Sequence, residues 1–88
     1  MREIRWTEDS EDHIARHGVQ PAEVEQVLYA RPRLVSKGRE DVTLVFGTTD
    51  AGRHLVVVLA DAEDGRLFVV TARGMTDSER RAFARRAR

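Results

Sequence analysis

Three apolar segments rich in β-branched residues, Val42–Phe46, His54–Ala60 and Arg66–Ala72, are separated only by the short polar links Thr48–Gly52 and Asp61–Gly65. A parallel crossover needs a dozen residues or more, so links this short force antiparallel pairing. The middle segment is the most demanding. Leu55 to Ala60 is apolar without interruption, which predicts a central strand covered on both faces. A chain built on this meander needs apolar helices to cover it.

The flanking sequence supplies them. Ile4-Arg5-Trp6 alternates and predicts a short first strand. Thr7 can cap a following helix, with Glu8 and Asp9 in the first turn, where the helix dipole favours acids. That helix is expected to run to about His17 and to stop at Gly18, which tolerates the left-handed conformation of a helix end. Pro21 opens a second helix at its first position. Val24, Val27 and Leu28 form its apolar stripe, and Pro32 ends it. Leu34-Val35 predicts a short edge strand. Thr76-Asp77-Ser78-Glu79 has the spacing of a capping box and starts a basic helix that runs to about Arg86, with Ala82 and Phe83 inward. Trp6, Phe46, Phe68 and Phe83 read as core. The order is β-α-α-β-β-β-β-α. This is an α+β domain: an antiparallel meander with an N-terminal helical hairpin and a C-terminal helix, filling residues 1–88 as one unit.

Composition removes several function classes. The chain has no cysteine, which excludes disulfides, thiolate metal sites and a cysteine nucleophile. Met1 to Ser10 carries acids and no apolar run, unlike a signal peptide. No apolar stretch approaches the roughly 20 residues that span a bilayer, so no membrane association and a cytoplasmic location are expected. The net charge is zero but unevenly spread. Residues 1–30 hold three arginines against seven acids, and residues 66–88 hold seven arginines against two acids. The basic end suits RNA or an acidic partner.

Phosphate-binding glycine loops and the G-x-S-x-G elbow are absent. His13 and His17 are four apart, but no third ligand at metal-site spacing completes them, so neither a metal nor a cofactor is expected. The cations carry more information. Arg66 and Arg73 bracket the last strand segment, Arg53 begins the preceding one, and Lys37 and Arg39 precede the first. In a meander such strand ends can converge, and gathered guanidinium groups grip phosphate bidentately.

Several segments then fall into a known pattern. Arg5-Trp6-Thr7, His13-Ile14-Ala15-Arg16-His17-Gly18-Val19 and Glu23-Val24-Glu25-Gln26-Val27-Leu28 resemble the opening of BrnT-like proteins. Gly52-Arg53-His54-Leu55-Val56-Val57-Val58 is similar to that family's G-R-x-L-x-V-V strand. Val70-Thr71-Ala72-Arg73-Gly74-Met75-Thr76, followed by Glu79-Arg80-Arg81, is similar to its closing segment. The resemblance implies a RelE-like fold and the toxin of a type II toxin–antitoxin system. Such a toxin cleaves RNA and is neutralised by a small cognate antitoxin, itself potentially DNA-binding. By that match His17, Arg53 and Arg73 are carried over as catalytic candidates. His54 joins them because histidine is the side-chain type whose ordinary pKa suits proton transfer near neutrality. Lys37, Arg39, Arg66 and Arg80 are the RNA-binding candidates.

The expected reaction is attack of the ribose 2′-hydroxyl on the adjacent phosphorus, with no metal or cofactor. Where closing segments of the family often carry a tyrosine, this chain has Phe83, which neither donates nor accepts a proton. The alternative reading is therefore a catalytically inactive RelE-like protein-binding module; a duplex-binding domain is a third. The short edge near Leu34 leaves a rim where a second copy or an antitoxin strand could add.

Overall fold

The computed structural model describes residues 3–88. The elements are β1 (Ile4–Arg5), α1 (Glu8–Ala15), α2 (Pro21–Tyr29), β2 (Leu34–Lys37), β3 (Thr43–Thr48), β4 (His54–Asp61), β5 (Leu67–Gly74) and α3 (Asp77–Arg86). The strands form one sheet in the order β1-β5-β4-β3-β2. β2 to β5 pair antiparallel, each with its sequence neighbour. β1 corrects the expectation of a wholly antiparallel sheet, because it pairs parallel with β5, Ile4 opposite Leu67 and Arg5 opposite Phe68. Short links join only the later strands, not β1 to β5. The chain between those two holds two helices and three strands, ample for a crossover.

Local chemistry fixes the helix starts. Thr7 Oγ1 accepts from the Ser10 N–H at 3.1 Å and Ser10 Oγ from the Thr7 N–H at 3.0 Å, a reciprocal capping box. At α2 the Gln20 N–H donates to Glu23 Oε1 at 3.1 Å and the Glu23 N–H to the Gln20 backbone carbonyl at 3.0 Å, with Pro21 in the first turn, and Thr76 and Glu79 form a second reciprocal box at α3. α1 ends at Ala15, short of the expected His17. The Val19 N–H donates to the Ile14 carbonyl at 3.0 Å around Gly18, whose φ is +68°. That six-residue closure is a Schellman-type stop, and it takes Arg16 and His17 out of the helix.

β4 has strands on both edges and helices on both faces, and Leu55, Val56 and Val57 are completely buried. Leu55, Val57 and Leu59 join Val45, Val69 and Ala72 beneath Ile14, Val24, Val27 and Leu28 of the helical hairpin. Val56 turns the other way, to Phe46 and to Phe83 of α3, with Leu34, Leu44, Met75 and Ala87 at the margin. Arg33 and Arg88 exchange backbone hydrogen bonds at 3.0 Å, tying the end of the chain to the start of β2. α3 covers only one end of its face. Toward the other end the sheet stays partly open, and β5 carries one extra residue there, Val70, between Thr71 opposite Val58 and Val69 opposite Leu59. Phe68 is half-buried and belongs to neither cluster, so it is not the core residue that its spacing predicts.

Two backbone positions yield predictions. A Cβ on Gly47 would sit 3.1 Å from Val27 Cγ1 and 3.3 Å from the Val27 carbonyl oxygen. There β3 passes close to α2. Gly47→Ala is expected to destabilise the fold by about 1–3 kcal/mol through overpacking, read as a lowered urea midpoint. In the β2–β3 hairpin, Glu40 and Asp41 both have left-handed φ, 56° and 62°. The Val42 N–H closes the turn onto the Arg39 carbonyl at 3.2 Å, a type I′ pattern that favours Asn-Gly. The double change Glu40→Asn, Asp41→Gly should raise stability by about 1 kcal/mol in the same measurement.

Candidate active site

Strand alternation sorts the candidate residues. His54 is the first residue of β4, and its ring meets that of Phe83 edge-on, 5.8 Å between centroids at 89°. It therefore lies on the α3 side. Arg53, one residue earlier, goes to the hairpin side. Its Nη1 donates to the Gly18 carbonyl at 3.0 Å and to both Glu23 carboxylate oxygens at 2.8 and 2.7 Å. Arg73 pairs with Val56 in the β4–β5 register, so it shares a face with Val56 and with His54 two residues away. Arg73 and His54 are diagonal cross-strand neighbours, a relation that spans about 7–8 Å and is bridged by long side chains.

Arg73 is held by α3. Its Nη1 and Nη2 donate to Glu79 Oε1 and Oε2 at 2.7 and 2.9 Å, and Nη1 also donates to the Gly74 carbonyl at 3.1 Å. Glu79 Oε1 accepts in addition from the Thr76 N–H at 2.8 Å, while Thr76 Oγ1 accepts from the Glu79 N–H at 3.1 Å. The capping glutamate of α3 is thus also the partner of the strand arginine. The Arg73 guanidinium is the main influence that pulls the Glu79 carboxyl from its ordinary 4.5 down to about 2. Glu79 in return raises Arg73.

The other candidates separate in space. His17 is exposed in the turn after α1, next to the Gly18 carbonyl that Arg53 grips. Arg53 and His17 therefore sit on the hairpin side, and Arg73 and His54 on the α3 side, of the same sheet end. Arg80 is exposed on α3, beside Glu79. Lys37, Arg39 and Arg66 lie at the opposite end. Lys37 pairs with Thr43, which pairs with Leu59, and it lines a polar depression with Asp41 and Asp61. Arg66 is engaged by acids along both edges: Nε and Nη2 meet Asp64 Oδ2 at 2.9 and 2.8 Å, and Nη1 meets Glu3 at 3.4 Å. The structure therefore does not bring all the cations into one pocket.

The pairing glutamates are the residues that sequence reading missed. Glu79 was legible as a cap, but its reach to Arg73 depends on how the strand turns into the helix. Among the described residues, no three histidine or acid side chains gather into a metal-holding group, and no helix is long and apolar enough to cross a membrane.

Fold and site together define a class: a small α+β domain with a carboxylate-held arginine and an imidazole on the same face at one end of its sheet. Over residues 6–79 the chain matches the family described as "Ribonuclease toxin, BrnT, of type II toxin-antitoxin system", and it belongs to that family. The family consists of ribonuclease toxins, each paired with a cognate antitoxin. The match includes Arg73 and Glu79 and stops before the arginine-rich remainder of α3. No curated protein and no solved structure matches the chain significantly.

The ion pair predicts an acid response. A carboxylate whose pKa is depressed by folding adds stability above its unfolded value and loses it as pH falls through the folded value. Glu79 should therefore stabilise the fold above about pH 4.5 and stop doing so toward pH 2. Glu23 and Asp64, also lowered by their arginines, act in the same sense. Glu79→Gln is expected to cost about 1–2 kcal/mol at neutral pH, allowing for solvent screening of a half-exposed pair. Urea unfolding of wild type and variant should converge as pH approaches 2.

Proposed function

We propose that this toxin cleaves RNA by attack of a ribose 2′-hydroxyl on the adjacent phosphorus, with Arg73 and His54 as its working pair. One observation carries the reading: Arg73 and His54 share the α3 face at one sheet end, and Arg73 has committed Nη1 and Nη2 to Glu79 without committing Nε. The Nε–H and the second Nη2–H form a side-on fork that matches two phosphate oxygens. His54 stands where an imidazole could take the 2′-hydroxyl proton or return one to the leaving 5′-oxygen. Arg73 would balance the charge that gathers on the phosphorane. The bond formed is 2′-O to phosphorus and the bond broken is phosphorus to 5′-O, which leaves a 2′,3′-cyclic phosphate and a 5′-hydroxyl. The reaction needs no metal or cofactor. A RelE-like architecture and a cytoplasmic setting, where RNA is met, belong to the same proposal.

In this reading Arg80, exposed beside the site, binds a flanking phosphate. Arg53 acts as a strap between the α1–α2 turn and the start of β4, and His17 stands beside that strap. Lys37, Arg39 and Arg66 would touch only RNA that runs the length of the sheet. A second reading is favoured by the carboxylate already on Arg73 and by Phe83 packed against His54: a binding module without chemistry, which docks the antitoxin or a second copy.

Growth arrest on expression, together with cleavage of RNA by the purified chain, separates the two. Arg73→Ala should lower cleavage at least about 100-fold, and His54→Gln by about 10²–10⁴-fold. Arg53→Ala should unfold more easily yet cleave nearly as fast as wild type where both are folded. A wild-type chain that neither arrests growth nor cleaves RNA establishes the binding module. Products ending in a 3′-hydroxyl overturn the 2′-hydroxyl attack.

A further inference from the structure

We infer that Glu79 is a positioning residue for Arg73, holding one edge of the guanidinium so that the other edge faces the scissile phosphate. The inference rests on the reading above and adds a residue to it.

The three strand-end arginines with carboxylate partners give the comparison. Asp64 takes Nε and Nη2 of Arg66, the side-on edge that a phosphate would use, so that arginine is spent. Glu23 places both oxygens on the single Nη1 of Arg53, which also donates to the Gly18 carbonyl, so that arginine is tied to the hairpin through one nitrogen. Glu79 alone among these partners sets its two oxygens on two different nitrogens, the end-on pair Nη1 and Nη2 of Arg73, at 2.7 and 2.9 Å. Two parallel hydrogen bonds fix the plane as well as the position. They lie on the end-on edge, which leaves the Nε side open.

Glu79 is itself anchored. Its Oε1 accepts the Thr76 N–H, its own N–H donates to Thr76 Oγ1, and α3 is seated by Phe83 against Phe46 and Val56. The chain of constraint runs from the sheet, through Phe83, the α3 backbone and the Thr76 N–H, to the carboxylate and the guanidinium; the Thr76 hydroxyl lies outside it. Rival roles are a plain helix cap, or a carboxylate that competes with phosphate for Arg73.

Three variants of the full chain decide between them. Glu79→Gln keeps size and one acceptor but loses the two-oxygen grip. Thr76→Ala removes the other half of the cap and leaves the grip in place. Arg73→Ala tests the underlying reading. At a temperature where urea titration shows every variant folded, Glu79→Gln should lower kcat by about 10- to 100-fold, the scale of a misplaced catalytic group. Thr76→Ala should stay within about twofold of wild type. By NMR, the Arg73 guanidinium should show slowed rotation in wild type and in Thr76→Ala, and free rotation in Glu79→Gln. If Thr76→Ala loses as much kcat as Glu79→Gln, Glu79 is a helix cap. If Glu79→Gln cleaves as fast as wild type or faster, the carboxylate is neutral or competes with phosphate. Either result overturns the inference while an inactive Arg73→Ala leaves the reading intact. Full cleavage by Arg73→Ala removes the reading and the inference together.

Discussion

Everything in this molecule is arranged around a strand with three consecutive side chains shut away from water. β4 is paired along both edges, and its Leu55, Val56 and Val57 are completely buried in sequence, one after another. Successive side chains of a strand point to opposite faces, so such a run demands apolar cover on both sides. Each fully buried aliphatic side chain contributes about 1.5–3 kcal/mol relative to exposure. For a domain of this size, leaving either face bare would forfeit much of the net stability. The helical hairpin must therefore take one side and α3 the other. The candidate site lies where that demand relaxes, at His54, the half-buried residue through which β4 enters the core.

The arginines show why zero net charge does not mean an inert surface. At Arg53, Arg66 and Arg73 a carboxylate has been brought in, and each pair ties a strand end to a neighbouring turn or helix. Exposed pairs contribute roughly 0–1 kcal/mol each, so their value lies more in geometry than in stability. What matters chemically is which donors they consume. Counting nitrogens rather than charges shows which edge each carboxylate occupies: the side-on edge of Arg66, the end-on edge of Arg73 and the single Nη1 of Arg53.

Much of the architecture was legible in the sequence because it was dictated locally. The Thr76–Glu79 cap, Pro21 at a helix start and the short links between Val42 and Ala72 each follow from a few neighbouring residues. What escaped was non-local. The parallel partner of Ile4-Arg5 lies more than sixty positions away, and no short-range rule names it. Arg53 and His54 were both candidates for one catalytic site, yet adjacency at a strand start is what sends them to opposite faces. Lys37 ends β2, Arg39 lies in the hairpin turn and Arg66 precedes β5, but a meander has two rims, and these three share the rim away from Arg73. The Arg73–Glu79 grip depends on a bend at Gly74–Thr76 that the letters alone do not specify.

The sheet also acts as a partition. The exposed acids of α1, Glu8, Asp9, Glu11 and Asp12, ride above one face, and the exposed Arg80, Arg81, Arg85 and Arg86 of α3 ride above the other. The two sets cancel in a total yet stand apart by the thickness of the domain. The Debye length is only about 8 Å in physiological salt, so a nearby polyanion feels one of them at a time. A charge that approaches the hairpin meets acids, and one that approaches α3 meets arginines, on the side that holds Arg73.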